Sequence, residues 1–173
     1  MGNSFFAYIR LMELMAFFSG YTLLYAVTFL IFGNQQSKNN FNRMMVSLLP
    51  SSYALIATLY SGLQLKYLFH DVVSGNIKSI MGQPFLAIWG IIAMLFWIPA
   101  VARRTSLSLM HSLLFFFFLV RDLYRHFFAS ADKDILRNDM KIFTLSLLLN
   151  LATFGLILLI FYVITLIKKN KVT

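Results

Sequence analysis

Five stretches of the chain carry no Asp, Glu, Lys or Arg: 14–37, 44–65, 79–102, 105–120 and 142–167. Their cores read LMAFFSGYTLLYAVTFLIFG, MMVSLLPSSYALIATLYSGLQL, PFLAIWGIIAMLFWIPA, TSLSLMHSLLFFFFLV and IFTLSLLLNLATFGLILLIFYVITLI. A helix that crosses the hydrocarbon of a bilayer needs about 20 mostly apolar residues. The first and fifth runs exceed that length with room to spare, and the second and third reach it. The fourth is short and holds His111, so it fits a tilted span, an interfacial helix, or a buried helix above the membrane. Backbone polar groups in hydrocarbon must be bonded within their own segment, which makes these runs helices. The two-residue alternation of barrel strands is absent. Helices are therefore expected at 5–33, 44–69, 84–102, 105–128 and 142–167.

The breaks between the runs agree with this reading. GNQQSKNNFNR at 33–43 is polar and short, HDVVSGNIKS at 70–79 holds a glycine and mixed charge, and ASADKDILRNDMK at 129–141 is the longest charged stretch. Its last part suits a helix. Pro84 fits the first turn of the third helix and Pro99 lies near its end. The start, MGNSFFAYIRLMELMAFF, mixes Arg10 with Glu13 and has no small-residue cleavage site, so the first helix is expected to remain in the protein. No internal repeat and no linker divides the chain. The expectation is an all-α integral membrane protein of four to five helices with short loops, in a single helical membrane domain over 1–173.

Composition strengthens the membrane assignment. The chain is 60% hydrophobic and 12% charged, against about 45–50% and about 25% in soluble domains. Its net charge of +9 suits anionic lipid headgroups or nucleic acid. The basic residues do not set an orientation. If all five runs span, eight Lys and Arg fall on one side and seven on the other, and the positive-inside rule has no majority to read. That near balance suits an arrangement in which at least one run does not span.

Few residues are left for chemistry. There is no cysteine, so no disulfide, thiolate nucleophile or cysteine-ligated metal is expected. HExxH, Walker and GxSxG signatures are missing. Only Glu13 and Asp71 among the acidic residues lie outside 122–139. No cofactor, no metal and no enzyme activity are expected.

Polar residues do recur inside the apolar runs. Ser146, Asn150 and Thr153 follow i, i+4, i+7 spacing and share one helix face. Ser51, Thr58, Ser61 and Gln64 lie roughly along one side of the second run, and Ser19 and Thr22 stand three apart in the first. Such stripes serve either as interhelical hydrogen-bond glue or as the lining of a wet pore. Four or five helices enclose little water, so a pore requires several subunits in a ring.

The fourth run ends in FFFFLVRDLYRH at 115–126. Asp122 and His126 stand at i, i+4, where a carboxylate can orient an imidazole, and Arg121 and Arg125 share the same spacing. Histidine, with arginine to hold a phosphate, makes a kit for metal-independent RNA cleavage. The other reading is a charged collar at a helix exit, with Tyr124 in the aromatic belt. Arg121, Asp122, three residues and His126 resemble the R-[N/D/H]-x3-H form of the HEPN ribonuclease motif, and Arg104 with His111 meets a looser R-x6-H form. With its length and hydropathy, the chain resembles the small membrane accessory protein encoded beside the RNA-guided RNA-cleaving effector of type VI-B CRISPR loci. The resemblance implies a degenerate HEPN-like helical element and a homo-oligomeric, octameric ring in the bacterial inner membrane. It also implies a pore that depolarises that membrane and strengthens antiphage defence once the effector has found its RNA. Arg121 and His126 would be the retained HEPN pair, and the basic residues near a pore mouth could contact RNA.

Overall fold

The computed structural model describes residues 2–33, 40–73, 84–128 and 133–170, with side chains described at most of these positions from Leu11 onward. All regular structure among them is helical: α1 (Gly2–Phe32), α2 (Asn40–Val73), α3 (Pro84–Met94), α4 (Pro99–Ala102), α5 (Thr105–Phe128) and α6 (Lys133–Asn170). Among the described residues three segments are long and apolar enough to cross a membrane: Leu11–Phe32, Asn40–His70 and Met140–Lys168. The protein is an all-helical chain of membrane-spanning type. Ile88–Trp97 and Thr105–Arg121 are shorter apolar helical stretches.

The third run departs from the expected single helix over 84–102. A short 3₁₀ turn, Leu95–Trp97, follows α3, and Ile98 is extended at φ −74° and ψ 120° before α4 begins at Pro99. The cause is local. The proline ring crowds the residue before it out of the helical region, so Pro99 ends one helix and starts another. Pro50 acts differently. It lies fully buried inside α2, which continues through it. A membrane helix tolerates such a residue where neighbouring helices shield the freed carbonyl. α6 begins at Lys133, nine residues before the expected start at 142.

Packing contacts show how the helices lie. Tyr21 meets Tyr53 with ring centroids 4.4 Å apart, Phe17 meets Tyr60 at 5.5 Å, and Tyr67 donates to Glu13 Oε1 at 2.9 Å. The numbers rise along α2 as they fall along α1, so the two helices are antiparallel. α5 also runs against α1: Tyr25 bonds Thr105, Tyr21 bonds Ser108 and Phe18 stacks on Phe115. Phe18 is the centre of the core, with Tyr53, Tyr60, His111 and Phe115 around it. In lipid, apolar burial alone drives little, because acyl chains are as apolar as leucine. Close packing and interhelical hydrogen bonds hold such helices together.

α6 crosses α1 at Gly20. A Cβ on Gly20 would stand 2.6 Å from the backbone nitrogen of Leu147 and 2.6 Å from the carbonyl carbon of Ser146. Only glycine lets the two backbones approach so closely. Gly90 plays a similar part on α3, where a Cβ would meet the Tyr60 ring at 2.6 Å.

Candidate functional site: two polar stripes docked on α1

The first stripe belongs to α5. Thr105, Ser108 and Ser112 follow i, i+3, i+7 spacing, and all three bond residues of α1. Ser108 Oγ donates to the Thr105 carbonyl at 2.7 Å, so its one proton is committed, and the Tyr21 hydroxyl must be the donor in their 2.8 Å contact. By the same logic Ser112 donates to Leu109 O at 3.0 Å and accepts from Thr22 at 2.9 Å. Tyr25 closes the series on Thr105 Oγ1 at 3.3 Å. Each helix thus satisfies polar groups that would cost several kcal/mol if left bare in hydrocarbon.

His111 stands beside this stripe. Its Nδ1 lies 2.6 Å from the Tyr53 hydroxyl, and Trp89 covers the ring with centroids 4.5 Å apart. A phenol proton given to Nδ1 leaves the imidazole proton on Nε2. That nitrogen is buried without a hydrogen bond of good geometry, and the Trp89 backbone is the polar group that bears on the ring. Arg104 is exposed in the turn before α5. The structure therefore gives the two members of the R-x6-H spacing different surroundings, one in the aromatic core and one outside it.

The second stripe belongs to α6. Ser146, Asn150 and Thr153 are all buried. Ser146 Oγ accepts from the Gly20 backbone N–H at 2.8 Å. Asn150 Nδ2 donates to Phe17 O at 3.0 Å and to Ser146 O at 2.7 Å, while its Oδ1 is buried without a partner. Thr153 bonds back to its own helix at Leu149 O and Asn150 O. Ser146 and Asn150 thus bond α1 within one chain, while Thr153 bonds only its own helix.

The α2 residues are dispersed. Thr58 accepts from Trp97 Nε1 at 2.9 Å, which ties α2 to the 3₁₀ turn. Ser51 and Ser61 are half-buried, and Gln64 Nε2 is buried with no partner. Gln64 falls on the α2 face that meets α1 at Tyr60 and Tyr67, one turn from the Tyr67–Glu13 bond. Glu13 Oε2 is likewise buried and unpartnered.

Arg121 lies near the C-terminal end of α5, with its guanidinium 5.1 Å from the Phe118 ring centroid. Asp122 and His126 belong to the same helix, but their side chains lie outside the described residues. Among the described residues no group of His, Asp and Glu is placed to hold a metal ion.

No family model matches the chain, and no curated protein or solved structure is similar to it. The reading of the site therefore rests on its own geometry.

Sequence reasoning found the α6 stripe and missed the α5 one. The signal was present, since Thr105, Ser108 and Ser112 obey the spacing rule that singled out Ser146, Asn150 and Thr153. The α1 partners Tyr21 and Tyr25 carried no such mark, because tyrosines in an apolar run look like core or belt residues.

Proposed function

We propose that the chain is a subunit of a homo-oligomeric membrane pore. By its resemblance to the type VI-B accessory protein, the pore would depolarise the bacterial inner membrane and enhance RNA-targeting CRISPR defence. The observation that supports a membrane setting for this assembly is the far half of α6. From Leu159 to Ile167 every residue is exposed, on all sides of the helix, and nearly all are apolar. One chain leaves that surface uncovered, as a lipid-facing helix does, and the ring of subunits follows from the resemblance. The two stripes on α1 are already bonded within the chain, so a lumen would be lined by surfaces that one chain leaves open. The link to the RNA-guided effector rests on RDLYRH, with length and hydropathy in support.

The test joins assembly and conductance. In mild detergent the purified chain should run at several times its 20.0 kDa mass and should open discrete conductances in planar bilayers. In cells with a type VI-B effector and a matched guide, a voltage-sensitive dye should report depolarisation that needs both partners. Arg121→Ala and His126→Ala should each reduce assembly or conductance, while RNA incubated with the purified chain stays intact. A monomer that is silent in bilayers removes the pore, and a monomer that co-purifies with unrelated chains makes this a structural subunit of a larger complex. Metal-independent RNA cleavage lost in both variants would make it a membrane-tethered HEPN ribonuclease.

A further inference from the structure

We propose that the Pro99 break builds a headgroup site for an anionic phospholipid. Because α3 does not continue into α4, the helix bundle opens there into a cleft of about 550 Å³ between the end of α1, the start of α2, the 3₁₀ turn and the start of α5. Arg43 of α2 and Arg103, in the turn after α4, line it, with Ser51 and Thr105 also in the lining and Phe29 and Trp97 among its apolar walls. Two guanidinium groups, a hydroxyl and an apolar wall match a phosphodiester with an acyl chain attached.

Three observations favour that occupant. First, neither arginine has a hydrogen-bond or ion-pair partner among the described residues, and Ser51 Oγ has none either. Second, the charge at this end of the bundle is uncompensated. The chain's six carboxylates are Glu13, Asp71, Asp122, Asp132, Asp134 and Asp139, so none lies in 14–70 or 72–121. Third, the depth is right. Arg43 stands three residues into α2, at the end of a spanning segment, and Arg103 sits in the turn between two apolar stretches. Arginine pairs there are drawn to anionic lipids. The site is independent of the pore reading, since it needs only one chain in a bilayer.

The experiment uses the purified full chain in an uncharged detergent and follows its thermal midpoint. Dioctanoyl phosphatidylglycerol should raise the midpoint, whereas dioctanoyl phosphatidylcholine and glycerol phosphate at equal concentration should not. The Arg43→Gln/Arg103→Gln double variant should weaken phosphatidylglycerol binding by at least about tenfold, the loss expected for charge-assisted hydrogen bonds. Ser51→Leu, which keeps both arginines and fills the cleft, should weaken it as well and provides the test should the double variant not fold. Arg104→Gln, which lies outside the cleft, should bind as the unaltered chain does. Equal shifts from the two lipids, a full shift from glycerol phosphate alone, or a phosphatidylglycerol shift that survives in whichever of the two cleft variants folds would each overturn the proposal. So would an absent shift with a double variant of altered assembly mass, which would make the cleft a contact between copies.

Discussion

Gly20→Leu should abolish folding of the bundle, and Gly20→Ala should destabilise it by about 1–3 kcal/mol, the usual cost of forcing an extra methyl group into a packed interior. The effect is large because the atoms that stand in the way are backbone. A Cβ at Gly20 would lie 2.6 Å from Leu147 N and from Ser146 C, and 2.8 Å from Leu147 Cα. No rotamer change relieves that clash, so α6 must move off α1. The displacement also breaks the two bonds beside the crossing, Gly20 N–H to Ser146 Oγ and Asn150 Nδ2 to Phe17 O. The buried Ser146 hydroxyl would lose its partner and Asn150 would keep only its bond to Ser146 O, which adds to the steric cost. The controls are Gly62→Ala and Gly155→Ala, where a Cβ meets nothing within 4 Å. These should be neutral or stabilising by up to about 1 kcal/mol, since alanine is the better helix former. Equilibrium unfolding in mixed micelles checks the series. A Gly20→Ala variant as stable as the unaltered chain would mean that α1 and α6 do not cross there.

Much of this architecture was legible because charge is so costly in hydrocarbon. The limits of the runs 14–37, 44–65 and 142–167 fall close to the spans Leu11–Phe32, Asn40–His70 and Met140–Lys168. The lack of Asp, Glu, Lys and Arg is a local property that needs no knowledge of the fold. The break in the third run was less legible. Pro99 was visible as a helix-ending residue, but its effect on Ile98 and the 3₁₀ turn depends on how the chain must bend to keep Phe96 in the core and Trp97 on Thr58. The site divides in the same way. Helical spacing marks Ser146, Asn150 and Thr153 as one face. It does not say whether that face meets a lumen, a lipid or another helix. The answer lies in Gly20, which no sequence pattern distinguishes from Gly62 or Gly155. Likewise His111 is one histidine in an apolar run until the register of α2 against α5 brings Tyr53 to its Nδ1.

Tyr53 tests that register. The side chain is fully buried and touches Phe18, Tyr21, Phe96 and His111. Tyr53→Ala removes a ring from the middle of the aromatic core. In lipid the transfer part of the penalty shrinks, but the lost packing contacts remain, so about 2–3 kcal/mol is expected, at the low end for a large-to-small core change. Tyr53→Phe keeps the ring and deletes only the hydroxyl. His111 would then lose the bond to Nδ1 and keep only the Trp89 backbone as a polar neighbour, since its Nε2 has no hydrogen bond of good geometry. That variant should cost about 1–2 kcal/mol, the range for a buried polar group deprived of its partner. The pair can be separated from its surroundings by a double-mutant cycle with His111→Leu. Once His111 is leucine, the Tyr53 hydroxyl is the group left without a partner, and Tyr53→Phe should become neutral or stabilising. The coupling, the difference between these two costs, should be about 1–2 kcal/mol, at the upper end for interhelical hydrogen bonds in membranes. A coupling of zero would show that phenol and imidazole do not bond in the bilayer. A Tyr53→Phe cost that persists unchanged beside His111→Leu would assign the hydroxyl to a different acceptor.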